Sequence, residues 1–93
     1  MPRPCIKRKV FGNPTSYYFK PSGIRKIDLD ESVLLIEEFE AIRLIDFEGI
    51  EQIKAAKQMK ISQPTFSRIL KQGRKKIADA IVTGKAIKIT KNT

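Results

Sequence analysis

The chain contains no histidine and a single cysteine, Cys5. One thiol cannot close an internal disulfide, and one thiolate without an imidazole falls short of a zinc ligand set, so neither a disulfide framework nor a metal site is expected. The same scarcity argues against catalysis. Without histidine, a glycine-rich phosphate loop or a nucleophile with an identifiable base, the usual catalytic constellations cannot be assembled, and no enzyme and no cofactor are expected. The longest apolar run, Val33 to Ile36, is far too short to span a bilayer. Arg3, Lys7, Arg8 and Lys9 resemble the start of a secretion leader, but Gly12, Asn13 and Pro14 fall where its apolar segment would have to be. A cytoplasmic protein with no membrane partner is the expectation.

What is abundant is positive charge. The 93 residues carry a formal net charge of +9, which points to a polyanionic partner. Its distribution divides the chain into three parts. Residues 1–26 hold seven Lys/Arg and no acid, residues 27–51 hold nine acids against Arg43 alone, and residues 52–93 hold eleven bases against Asp79. A single domain is expected, with a basic arm and extended segment over 1–30, a helical core over 31–84, and a short strand and tail over 85–93.

The most informative stretch is residues 52–71, QIKAAKQMKISQPTFSRILK. Ala55, Ala56 and Met59 form one helical stripe and Phe66, Ile69 and Leu70 a second, with Ile61 plugging the turn between them, which is the pattern of a helix-turn-helix. Ser62 is placed as the N-cap of the second helix, and Pro64 lies in the first turn, where its missing amide hydrogen costs nothing. The face opposite Phe66 and Ile69 then presents Gln63, Ser67, Arg68 and Lys71, with Thr65 at its edge. These are candidate contacts to base edges in a major groove. Ser62, Arg74, Lys75 and Lys76 extend that surface as candidate phosphate contacts, and the basic arm with Arg3, Lys7, Arg8 and Lys9 has two readings of equal weight, an extension that contacts DNA phosphates with Arg3 in a minor groove or a solvated, partly ordered terminus.

Elsewhere the pattern is plainer. Pro2 and Pro4 exclude a helix at the start, and Ile6 to Phe11 fits a short strand. Tyr17, Tyr18 and Phe19 either stack on single-stranded bases or anchor a long loop to the core, the second being favoured. Ile24 to Asp30 reads as extended, with Ile24, Ile27 and Leu29 buried. A first helix falls between Glu31 and Glu48, with Glu37 and Glu38 in its first turn, an inward stripe of Leu35, Phe39, Ile42 and Ile45, and Gly49 ending it. Glu40, Arg43 and Asp46, three apart, predict an ion-pair ladder on a solvated face. Beyond Leu70 the spacing of Gly73, Ile77, Ala80 or Ile81, and Gly84 continues the helix to about twenty residues, near 30 Å, although Gly73 weakens its continuity. Its far half must be covered by the first helix and the N-terminal segment or by a second copy. Ala86, Ile87 and Ile89 predict a terminal strand, paired with Ile6 to Phe11 or Ile24 to Leu29.

From MPRP through YYFKPSGI, EEFEAIRLIDFEG and ISQPTFSRIL to RKKIADAIVTGKAIKI, the sequence resembles the small predicted DNA-binding proteins of domain-of-unknown-function family 134. The run Leu34 to Leu44 followed by the helix-turn-helix is also similar to region four of sigma factors. The resemblance implies a mainly α, sigma region four-like helix-turn-helix bundle with an extended N-terminal segment and a short C-terminal β-strand. It also implies DNA as the ligand. Three positions depart from the family's pattern: Lys60 stands where such turns usually carry glycine, Gln63 stands where arginine is frequent, and Cys5 lacks the further N-terminal cysteines of some relatives. The function expected is sequence-specific binding of double-stranded DNA by a homodimeric transcriptional regulator, in contact with the transcription machinery, with residues 63–75 as the recognition helix. The alternative is a protein-docking module that uses the helix-turn-helix fold and the acidic first helix.

Overall fold

The computed structural model describes residues 10–90; residues 1–9, which include Arg3, Lys7, Arg8 and Lys9, and residues 91–93 lie outside the described part. The elements run β1 (Tyr18–Phe19), a 3-10 turn (Lys26–Asp28), β2 (Glu31–Leu34), α1 (Ile36–Ile42), a π-helical turn (Arg43–Phe47), α2 (Gln52–Met59), α3 (Gln63–Thr83) and β3 (Ala86–Ile89). The protein is mainly helical with a small sheet. In that sheet β3 lies in the middle, antiparallel to β1 with Tyr18 opposite Lys88, and parallel to β2 with Leu34 opposite Ile89.

Residues 31–34 are therefore a strand rather than the start of the first helix. Their period of two decides it: Ser32 and Leu34 are buried while Glu31 and Val33 face out. The helix begins after Leu35, whose extended backbone (φ −73°, ψ 151°) marks the boundary and whose N–H donates to the Glu38 carboxylate at 2.9 Å. Glu37 and Glu38 do occupy its first turn. The expected inward stripe is displaced: Leu35, Phe39, Ile42 and Ile45 are half-buried, and Ile36, Glu38, Glu40, Ala41 and Leu44 lie deeper. Gly49, at φ +75°, ends the segment as anticipated.

Residues 24–30 are not an extended, buried segment. They turn through a 3-10 helix, and Ile27 is 80% exposed. Consequently the strand pairing differs as well. β3 takes Tyr18–Phe19 and Glu31–Leu34 as neighbours instead of Ile24 to Leu29, and among the described residues of Ile6 to Phe11, Val10 and Phe11 are not in a strand. Tyr17 packs on the core beside this sheet, the anchoring role favoured for the aromatic run.

Two apolar clusters hold the elements together. Ala41, Leu44, Ala55, Ala56, Met59, Phe66, Ile69 and Leu70 join α1, the π turn, α2 and the first half of α3. Leu34, Ile36 and Ile89, with Phe39, Ile42, Ile77 and Ile87, join the sheet to α1 and the second half of α3. The far half of α3 is thus covered within one chain. Gly73 does not interrupt α3; it lets α1 cross closely, since a Cβ there would lie 3.0 Å from Glu38 Cβ and from Ile42 Cδ1. Of the alternatives Ala80 and Ile81, Ala80 points inward and Ile81 is 74% exposed.

Candidate nucleic-acid interface

α2 and α3 meet through a three-residue turn whose geometry is local. Lys60 takes the left-handed conformation (φ 59°, ψ 46°), the position at which glycine was expected, and the Ile61 N–H closes the end of α2 on the Ala56 carbonyl at 3.1 Å. Ser62, extended at φ −72° and ψ 158°, caps α3: its Oγ accepts from the Thr65 N–H at 3.3 Å and donates to Thr65 Oγ1 at 2.9 Å. With Phe66 and Met59 fully buried beneath them, both helices present fixed outer faces.

Gln63, Ser67, Arg68 and Lys71 are exposed together on α3, and Thr65 is half-buried at the edge, its hydroxyl engaged by the cap. Ser62, Arg74 and Lys75 are exposed too, whereas Lys76 is half-buried. The cations of α3 fall into two sets. Arg68, Lys71 and Lys75, spaced three and four apart on one stripe, have no carboxylate partner among the described residues. Arg74 and Lys76 do: Arg74 is held by Asp46 through Nη2–Oδ1 at 2.6 Å and Nε–Oδ2 at 3.1 Å, and the Lys76 ammonium sits 2.8 and 3.0 Å from the two oxygens of Glu38. Glu38 is 1% exposed, so Lys76 neutralises a buried charge and is not available to a phosphate without stranding it.

The sequence pattern also underrated α2. Lys54, Lys57 and Lys60 are exposed and without carboxylate partners among the described residues. The signal was present, since the inward stripe of Ala55, Ala56 and Met59 leaves those lysines facing out. With Arg68, Lys71 and Lys75 they bring to six the exposed cations on α2, its turn and α3 that have no carboxylate partner among the described residues.

The acidic helix is built differently from the ladder the spacing implied. Glu40 is completely buried rather than on a solvated face. Arg43 donates Nε and Nη2 to its two oxygens at 2.9 Å each, and the amides of Phe11 and Gly12 add bonds at 3.0 and 3.2 Å. Burial, the largest single influence on Glu40, pushes its carboxyl up, but Arg43 and the two amides together outweigh it and hold the group below its ordinary value. Asp46 leaves the ladder for Arg74, whose hydrogen bonds lower its carboxyl. A groove of about 560 Å³ beside this cluster is lined by Phe19, Phe39, Ile42 and Phe47, and its one cation, Arg43, is already held by Glu40 and Glu48. Among the described residues no group of His, Cys, Asp or Glu could hold a metal ion, and no helix is long and apolar enough to cross a membrane.

The family described as "Protein of unknown function DUF134" matches residues 1–92. The chain belongs to that family. Relatives of this DUF134 chain carry the name UPF0251 protein. The one from Thermoanaerobacter pseudethanolicus is 52% identical over 89 residues, covering 96% of this chain and 75% of the relative. That from Caldanaerobacter subterraneus is 54% identical with the same coverage. In Moorella thermoacetica the relative is 53% identical, with 96% of this chain and 60% of the relative covered. No solved structure matches significantly.

Proposed function

We propose that this protein binds double-stranded DNA in a sequence-specific manner as a transcriptional regulator, with α2, its turn and α3 working as a sigma region four-like helix-turn-helix. One observation carries the reading: six cations, Lys54, Lys57, Lys60, Arg68, Lys71 and Lys75, stand exposed and without a carboxylate partner among the described residues, on two helices and their turn that a shared core holds together. Affinity comes from the lysines, which neutralise phosphates and release counterions, and discrimination from Gln63, Ser67 and Arg68 on the first turns of α3. An amide at position 63 suits adenine, where a guanidinium would suit guanine. A homodimer would place two such helices on half-sites about one helical turn apart.

Selection of bound duplexes from a random pool at about 150 mM salt tests this, because non-specific affinity is weak there. An enriched palindrome is the expected result; retention without a motif would mean a non-specific binder, and no retention would refute DNA binding. On the selected site Arg68→Ala should cost about 1–3 kcal/mol and narrow the gap to random DNA. Equal losses on both would make Arg68 a phosphate contact.

The docking alternative loses its main support, because the acidic helix shows little free acid: Glu38 and Glu40 are buried and Asp46 is engaged by Arg74. Base stacking on the aromatic run is also disfavoured. The Tyr18 ring already carries the Lys26 ammonium 4.7 Å from its centroid.

A further inference from the structure

The two ion-paired cations of α3 differ in what holds them. Lys76 answers to a buried carboxylate, which cannot be released without leaving a charge uncompensated away from water. Arg74 answers to a carboxylate at the surface: the Arg74 and Asp46 side chains are 51% and 42% exposed. Such pairs are weak, because water solvates both partners when they part. The Arg74 contact also has a particular shape. Nη2 and Nε donate side by side to the two oxygens of Asp46, the fork with which a guanidinium grips two oxygens of a phosphate.

The backbone accounts for Asp46 being there. In a regular α-helix Asp46, three residues after Arg43, would stack beneath it on the same face. Residues 43–47 form a π turn instead, and its wider coil carries Asp46 away from Arg43 to α3. Arg43 is left to Glu40 and Glu48.

We propose that Asp46 is an internal competitor for phosphate: it occupies the Arg74 fork and keeps it from the oxygens of a DNA backbone, so that Arg74 adds no phosphate contact in the wild-type complex and affinity for DNA of any sequence is held down. The inference rests on the DNA-binding reading above. Asp46 acts on binding through Arg74 and touches no base. Its effect is to suppress the non-specific component, which every phosphate contact raises, while leaving the base contacts of Gln63, Ser67 and Arg68 unchanged. The competitor thereby lowers affinity for a specific site and for bulk DNA by the same factor.

The test uses four full-length proteins, wild type, Asp46→Asn, Arg74→Ala and the double variant, with a fluorescent random-sequence duplex titrated between about 50 and 200 mM salt. Melting followed by circular dichroism verifies that each is folded; both positions are exposed, so all four should be. Freeing Arg74 adds one phosphate contact. Asp46→Asn should therefore steepen the plot of log K against log salt by about 0.9 and raise affinity about fivefold at 150 mM, the factor that this slope yields when referred to 1 M. In the Arg74→Ala background the same substitution should change the slope by nothing. An unchanged slope in Asp46→Asn overturns the proposal. So does weaker binding, which would mean that Asp46 orients Arg74 toward DNA, and so does an equal gain with Arg74 removed, which would mean a long-range charge effect. Wild type that binds no duplex at all would refute the DNA-binding reading and this proposal with it; wild type that binds while Asp46→Asn changes nothing refutes this proposal alone.

Discussion

Replacing Gly73 by alanine sets two effects of known size against each other. Alanine in a helix interior is favoured over glycine by about 1 kcal/mol, so on propensity alone Gly73→Ala should stabilise the protein. The new methyl would stand 3.0 Å from Glu38 Cβ, 3.0 Å from Ile42 Cδ1 and 3.4 Å from the Glu38 carbonyl oxygen, whereas carbon atoms in contact rest at about 3.5–4.0 Å. Ile42 Cδ1 ends a side chain and can rotate away. Glu38 Cβ cannot, because it is bonded to the α1 backbone and the carboxylate beyond it is tied to Lys76 and to the Leu35 amide. Relief requires α1 to lift from α3 by about half an ångström, and overpacking of this kind costs about 1–3 kcal/mol. The net expectation is a loss of about 1 kcal/mol, or 4–8 °C in Tm for a domain of this size. Urea unfolding monitored by helical circular dichroism measures it. Gln72→Gly, at the exposed neighbouring position, calibrates the propensity term with a loss of about 1 kcal/mol. A Gly73→Ala protein more stable than wild type by that same amount would refute the close-crossing argument.

Glu40→Gln should destabilise by about 3 kcal/mol, since it leaves Arg43 facing a neutral group at a buried pair. Because the folded Glu40 carboxyl lies below its ordinary 4.5, its contribution is complete above that pH and lost as pH falls through the lowered folded value. Wild type should therefore lose more stability than Glu40→Gln between pH 4.5 and pH 3, and parallel losses would count against the assignment. Lys76→Ala should cost about 2–3 kcal/mol because Glu38 stays buried without its cation, while Lys75→Ala next to it should stay within about 0.5 kcal/mol. Equal stabilities for the two would show that Lys76 does not neutralise Glu38. Lys60→Gly should gain about 0.5 kcal/mol by relieving the left-handed backbone, less the extra freedom glycine confers on the unfolded chain; a lower urea midpoint would contradict this.

How much of this could be seen in the sequence depended on range. The second and third helices, the Ser62 cap, the stop at Gly84 and the terminal strand were all legible, because each follows from residues within a turn or two of one another. The outward face of α3 was legible for the same reason. Where a partner lay far along the chain the reading went astray: Ile24 and Ile27 looked like core residues only because nothing local says that Tyr18–Phe19 and Glu31–Leu34 already flank β3.

Charge shows the division most clearly. Counting acids in residues 27–51 located an acidic segment but placed Glu40 in solvent, although the structure buries it under Arg43 and the amides of Phe11 and Gly12. Likewise Arg74, Lys75 and Lys76 are three consecutive bases in sequence and three different environments in space: one opposite a surface carboxylate, one with no carboxylate partner among the described residues, one opposite a buried carboxylate. By itself the sequence determined the family, the helical frame around residues 52–83 and which side of α3 is polar, since periodicity and capping are properties of neighbouring residues. Only the tertiary structure decided the sheet pairing, the close crossing at Gly73 and which cations remain unneutralised, because these depend on where α1 crosses α3, at separations of 28 to 38 residues for its ion pairs.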